Sequence, residues 1–180
     1  MVQQDDKKAL TIRLDPDLLK MAENQCAKRN VSMNTFVNQI FRNYKDWSSI
    51  AGKAGLVPVD RELLISLLEN IDEKKLLAIS NEVVQSKQTR EKVIFFKGKF
   101  DSEACIHVLE LWLEAGGFPF KHEVMEEDDG TFHNLCMQFN MGRKFSLFVS
   151  SKIDNIFRQI GVKKIEFQTT DDQVAFKVKL

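Results

Sequence analysis

Apolar and polar positions alternate along residues 9–14, whose sequence is ALTIRL. The apolar positions are Leu10, Ile12 and Leu14, and this period of two is typical of a strand with one apolar face. The residues that follow are patterned as helices, so no neighbouring segment offers this strand a partner. Because unpaired backbone groups on both edges of a strand are unfavourable in water, we expect the strand to pair with its copy in a second chain.

Two helices are predicted directly after this strand. Asp15 is a suitable N-cap with Pro16 at the first helical position, and Asn30 can end the first helix in a left-handed conformation. Ser32 is a suitable cap for the second helix. Apolar residues recur at helical spacing in both helices, at Leu18, Leu19, Ala22 and Cys26 and then at Phe36, Val37, Ile40, Phe41, Tyr44 and Trp47.

A linker and two more helices are predicted next. Residues 48–58 read SSIAGKAGLVP, and their small residues, glycines and final proline indicate a boundary or linker. Asp60 and Asp72 are suitable caps for helices over about 61–71 and 73–88.

From residue 92 the pattern predicts strands as well as helices. The apolar run VIFF at 93–96 is typical of a buried strand, and a helix is predicted from about Ser102. Two hairpins follow, separated by a helix over about 142–160. The order β-α-β-β-α-β-β fits a ferredoxin-like sandwich, in which helices cover one face of an antiparallel sheet.

Each hairpin has one apolar face in a consistent register. A two-residue turn at Asp129-Gly130 in the first hairpin pairs Phe120 with Phe139, His122 with Met137, Val124 with Leu135 and Glu126 with His133. A turn at Asp171-Asp172 in the second pairs Phe167 with Phe176 and Ile165 with Val178.

Composition adds modest constraints. The chain has 180 residues, of which 43% are hydrophobic, enough for one ordinary domain or two small ones. Lys+Arg and Asp+Glu both total 26, so the net charge indicates no polyanionic partner, although residues 1–47 hold eight basic and six acidic residues. Three cysteines without a CxxC pair indicate free thiols, and no apolar run suits a leader or membrane span. We therefore expect a soluble cytoplasmic protein without a membrane partner.

The outward face of the predicted strand carries groups that can recognise DNA. Two such strands, paired antiparallel about a two-fold axis, would turn their apolar rows inward and present Ala9, Thr11 and Arg13 together. A two-stranded ribbon fits the major groove, where Thr offers a hydroxyl and Arg a bidentate donor to guanine.

Residues 9–47 resemble the ribbon-helix-helix family of Arc and MetJ type in the strand, the proline and NVSMN at 30–34. The resemblance implies a DNA-binding homodimer on a palindromic or tandemly repeated site. It also implies base contacts from Ala9, Thr11 and Arg13, and phosphate contacts from Lys8, Ser32, Met33 and Asn34. Asn30 replaces the usual glycine, and Ala9 replaces a polar base-reading residue. The alternative is that ALTIRL is an edge strand of the C-terminal sheet.

The layout of a ribbon-helix-helix segment followed by a ferredoxin-like domain resembles the nickel-responsive NikR repressors. His122 and His133 have an eleven-residue spacing that this family shows, but Leu135 and Met141 stand where two further ligands are expected. The predicted register also separates the two histidines by roughly 13 Å along the hairpin. We therefore expect no metal site and no cofactor, with His122 in the core and His133 paired with Glu126.

Arg143 and Lys144 stand in the first turn of the predicted helix at 142–160, where they could form an anion or effector pocket or simply an exposed helix start. No catalytic motif is present, so we expect no enzyme.

The sequence thus predicts an α+β protein with a ribbon-helix-helix domain over 1–47, a linker and helical connector over 48–91, and a ferredoxin-like domain over 92–180. The last domain would form dimers or tetramers or sense a small molecule. The predicted function is a prokaryotic transcriptional regulator, in particular a repressor, that binds double-stranded DNA. The alternative is a protein-interaction module such as an antitoxin-like autoregulator.

Overall fold

The structure is a computed structural model that describes residues 8–127 and 130–179. The chain divides into two compact units between Lys45 and Asp46. The first unit contains helices α1 (Pro16–Arg29) and α2 (Met33–Asn43). Residues 8–15 form neither helix nor strand in the single chain, which is consistent with a segment that finds no strand to pair with in its own chain.

The second unit is α+β. After a π-helical turn at Tyr44–Ser48, which spans the division, its elements in chain order are α3 (Ser49–Ala51), α4 (Arg61–Glu69), α5 (Glu73–Gln85), α6 (Lys87–Lys97), α7 (Ser102–Ala115), β1 (Phe120–Glu127), β2 (Gly130–Gln138), α8 (Arg143–Gln159), β3 (Ile165–Thr169) and β4 (Gln173–Lys179).

The local helix signals in this unit are confirmed. The Asp60 carboxylate accepts a hydrogen bond of 2.9 Å from the Leu63 amide at the start of α4, and Asp72 does the same for Lys75 at the start of α5. Helices α4 and α5 both pack on α8. Most of the segment that the sequence predicts to be a connector therefore belongs to the second unit.

The predicted strand at 93–96 is wrong, because these residues lie in helix α6. Val93 is buried, whereas Ile94 and Phe95 are exposed, which is the pattern of one helical face. Gly98, with φ of 72°, ends the helix in the left-handed conformation that glycine adopts readily. A run of four apolar residues does not distinguish a strand from part of a helix, and the polar helix-forming residues at 87–92 decide in favour of the helix.

The sheet is four-stranded and antiparallel, in the order β1-β2-β4-β3. Strands β2 and β3, which α8 connects, lie parallel with β4 between them, so one split β-α-β unit is present. The second such unit of a ferredoxin-like fold would need a strand at 93–96. The ferredoxin-like prediction is therefore wrong, whereas an antiparallel sheet in an α+β fold is confirmed.

The second hairpin has the predicted register, with Phe167 opposite Phe176 and Ile165 opposite Val178. The first hairpin does not, because Glu127 pairs with Gly130 and every β1 residue faces a partner two positions earlier than predicted. Asp129, predicted to form the turn with Gly130, lies outside the described residues. A shift of two residues keeps the same side chains on the same face, so the apolar face survives the error.

The core of the second unit lies between this apolar sheet face and the helices. Its fully buried side chains come from α5, α7, α8, the sheet and the segment after β2, and they include Leu76, Leu113, Leu135, Met137, Phe139, Phe157, Val174 and Phe176. The opposite sheet face carries polar side chains such as Lys121, Glu123 and Glu166, which are exposed. No helix among the described residues has both the length and the apolar character that crossing a membrane requires.

Candidate nucleic-acid interface

The backbone of the first unit follows the local chemistry predicted for it. Asp15 precedes α1 in an extended conformation, and its carbonyl accepts a hydrogen bond of 2.9 Å from Leu19 N–H. The Asp15 side chain makes no capping bond, so only its position as N-cap is confirmed. Pro16 occupies the first helical position, where a missing N–H costs nothing.

The turn between α1 and α2 is set by two residues. Asn30 adopts φ 52° and ψ 46°, and the amides of Asn30 and Val31 donate to carbonyls in the last turn of α1. Ser32 then caps α2, with its hydroxyl oxygen accepting from Thr35 N–H at 3.1 Å. The predicted left-handed helix end and the predicted cap are both confirmed.

The first unit exposes most of its apolar side chains. Of its described residues, only Ala22 and Phe36 are buried. Leu10, Ile12 and Leu14 are exposed by 76%, 45% and 42%. The large apolar side chains that the helices leave exposed are Leu18, Leu19, Met21, Ile40, Phe41 and Tyr44. So many exposed large apolar side chains on so small a unit are typical of a surface that another protein chain covers.

The residues predicted to contact bases lie on the exposed segment before α1. Ala9, Thr11 and Arg13 are all exposed, and so is Lys8. Arg13 makes no ion pair with any carboxylate in the described part of the chain. Its guanidinium therefore keeps its donors available for a partner outside the chain.

The residues predicted to contact phosphate lie at the start of α2. Ser32 and Asn34 are exposed and Met33 is half-buried. The Asn38 side-chain amide donates to the Asn34 carbonyl at 2.8 Å and to its Oδ1 at 3.2 Å, which holds the Asn34 side chain against the helix. The first amides of any helix lack partners within the helix, so this end can receive an anion.

The charge of this unit favours an anionic partner. Residues 8–45 hold seven basic and three acidic residues, and α2 contains no acidic residue. Arg29, at the end of α1, lies 5.7 Å from the centre of the Phe36 ring, so that cation also supports the packing of the two helices. Over the whole unit, residues 1–45, eight basic and five acidic residues leave a surplus of three positive charges, which the neutral total of the whole chain conceals.

The structure places Arg143 and Lys144, the predicted anion or effector pocket, beside acidic residues of α4 and α5. The Arg143 Nε atom donates to Glu73 Oε1 at 3.3 Å, and Lys144 Nζ donates to the Glu69 carbonyl oxygen at 2.7 Å. Both cations thus link the start of α8 to α4 and α5. An anion bound at this place would compete with the carboxylates of Glu69 and Glu73 for these two cations.

His122 and His133 lie close to one another, contrary to prediction. His122 Nδ1 lies 2.7 Å from Glu110 Oε1, and His122 Nε2 lies 2.9 Å from His133 Nδ1. His107 Nδ1 lies 3.9 Å from the other Glu110 oxygen. The two-residue shift in the hairpin register brings His122 and His133 together.

The predicted pairing of His133 with Glu126 is also wrong, because Glu126 accepts a hydrogen bond of 3.0 Å from the Thr131 hydroxyl. Burial, and then the neighbouring His122, lower the pKa of His133 from its ordinary value of 6.5. In the described part of the chain, no three His, Cys, Asp or Glu side chains converge as metal ligands.

Comparison of the chain with protein-family models, with curated proteins and with solved structures found no significant match.

Proposed function

We propose that the protein is a homodimeric DNA-binding transcriptional regulator whose N-terminal unit forms a ribbon-helix-helix domain. The observation that carries this proposal is the exposed apolar row of Leu10, Ile12 and Leu14, which continues into the exposed apolar positions of α1 and α2. Because only two of the described residues of this unit are buried, we expect the unit to be unstable on its own, whereas pairing with a second copy would bury this surface.

The same pairing would also place the second face of residues 9–13 on the outside of the dimer. Side chains alternate along an extended strand, so turning the apolar row into the dimer turns Ala9, Thr11 and Arg13 outward from both copies. A two-stranded antiparallel ribbon fits the major groove of B-DNA. There, the free guanidinium of Arg13 can bind the O6 and N7 atoms of a guanine, and Thr11 can bond a neighbouring base edge.

The start of α2 supplies contacts of a second kind. Ser32, Asn34 and the amides of the first turn, including that of Met33, would hold a phosphate, and Lys8, on the segment before α1, would make a further phosphate contact. Such contacts position the protein on DNA of any sequence. Sequence preference therefore rests on Thr11 and Arg13, because Ala9 offers only a methyl contact to thymine.

The test separates base recognition from phosphate binding. A preferred duplex is selected from random sequences, and binding to it and to a scrambled duplex is measured by fluorescence anisotropy at one salt concentration. Arg13→Ala should cost about 1–3 kcal/mol on the selected duplex and far less on the scrambled one. Lys28→Ala removes the same charge from the exposed end of α1, and it should weaken both complexes slightly and equally.

Asn34→Ala should weaken binding to both duplexes alike, since its partner is a phosphate. The selected site should be palindromic or tandemly repeated, because the ribbon has two-fold symmetry. Equal losses for Arg13→Ala on the two duplexes would remove the base-reading role of Arg13. A chain that binds neither duplex at low salt would overturn the proposal and favour a protein-interaction module.

A further inference from the structure

The second unit contains an apolar cavity of about 190 Å³ among helices α5, α6, α7 and α8. A single water needs only about 10–15 Å³ of such a volume, so the space accommodates a small organic molecule. Aliphatic and aromatic side chains form most of its lining, and the aromatic ones include Trp47, Phe96, Trp112, Phe148 and Phe157. A concave apolar site with few polar groups is the usual form of a small-molecule site in proteins.

Two lysines line this cavity and have no acidic partner. Lys92 comes from α6 and Lys152 from α8, and neither makes an ion pair or hydrogen bond with any described residue. Both side chains are half-buried. Burial, and then the charge of Lys92, lower the pKa of Lys152. Two like charges held beside an apolar space are unfavourable unless an opposite charge joins them.

The other polar groups of the lining do not supply that charge. The Thr89 hydroxyl donates to the Val83 carbonyl oxygen at 2.8 Å, so it is already bonded. Burial raises the pKa of the Cys105 thiol to about 12, so this group is neutral at physiological pH. No Asp or Glu lines the cavity. The lining therefore contains no negative charge to balance the two lysines.

We propose that this cavity binds an apolar molecule that ends in a carboxylate, of the size of a medium-chain fatty acid, with the carboxylate between Lys92 and Lys152. The apolar part of the ligand would lie against the apolar side chains, and the single negative charge of its carboxylate would offset the repulsion between the two ammonium groups. This site does not depend on the proposed DNA binding. It also differs from the predicted pocket at Arg143 and Lys144, which do not line the cavity.

Intrinsic fluorescence provides a direct assay, because the chain has two tryptophans and both line the cavity. The full chain, free of DNA, is titrated with decanoate and, in parallel, with decanol, which has the same chain length and no charge. Decanoate should bind with saturation and about tenfold or more tighter than decanol, as a charged hydrogen bond within an apolar site is worth that factor.

Lys152→Met and Lys92→Met each keep the apolar stem and remove the charge, and they should each weaken decanoate binding about tenfold or more while leaving decanol binding unchanged. Lys87→Met is the matched control, since Lys87 is exposed on the same helix as Lys92 and does not line the cavity. Decanol binding as tight as decanoate binding, an equal loss in Lys87→Met, or no saturable signal with decanoate would each overturn the proposal.

Discussion

Replacing Ile12 with alanine should weaken the proposed dimer of the N-terminal unit about 30-fold. Ile12 is 45% exposed in the single chain, and this fraction is what pairing with a second copy can bury. Complete burial of an isoleucine side chain contributes about 1.5–3 kcal/mol, so the remaining fraction contributes about 1 kcal/mol per copy. A symmetric dimer loses this twice, and about 2 kcal/mol corresponds to a factor of about 30 in the dissociation constant.

Sedimentation equilibrium over a range of concentrations measures this constant directly, starting from a chain mass of 20.8 kDa. Thr11→Ala is the matched control, because Thr11 neighbours Ile12 but would face outward from the ribbon. Its dimer constant should stay within about twofold of the wild-type value, as expected for an exposed substitution.

Two results would refute the reasoning. A wild-type chain that stays monomeric at micromolar concentration would remove the dimer altogether. Equal dimer constants for Ile12→Ala and Thr11→Ala would show that the segment before α1 does not pair through its apolar row, whatever other surface holds the chains together.

Two further predictions concern the histidines. Because the pKa of His133 is lowered in the folded chain, the unfolded chain takes up this proton first, and the free energy of unfolding should fall as the pH drops through 6.5 and level off below the folded pKa. Urea denaturation at several pH values should show a shallower fall for His133→Asn, and identical slopes would contradict it. Treatment with a chelator should leave the melting temperature unchanged, because His122 hydrogen-bonds to Glu110 and to His133 and the three side chains do not converge on a metal position. Stoichiometric zinc or nickel in the purified chain would refute this prediction.

The helix boundaries could be predicted from the sequence because their causes are local. Asp60, Asp72 and Ser32 each bond an amide three residues ahead, and Asn30 adopts a conformation that few other residues tolerate. The alternation of apolar and polar residues along 9–14 can also be read directly from the sequence, and the segments that follow it are helical and offer it no strand to pair with. These local signals carry the proposed DNA interface, since its residues lie within one short segment and one helix start.

The predictions that failed were choices between two local alternatives that fit the same apolar pattern. The run at 93–96 is apolar enough for a strand or a helix, and the flanking helix formers decided its state. One hairpin register shifted by two residues, which left the apolar face intact but brought His122 to His133. The sequence did not distinguish between these two registers, because both keep the same side chains on the apolar face.

The sequence by itself therefore determined the elements with local caps and the apolar periodicity of each face. Only the tertiary structure decided that Arg143 and Lys144 lie beside carboxylates of α4 and α5. It also decided that Lys92 and Lys152 line an apolar cavity and pair with no carboxylate among the described residues. The physical reason is that capping and side-chain alternation act within a few residues. The surroundings of a charged side chain depend on which helices pack together, and that depends on the whole core.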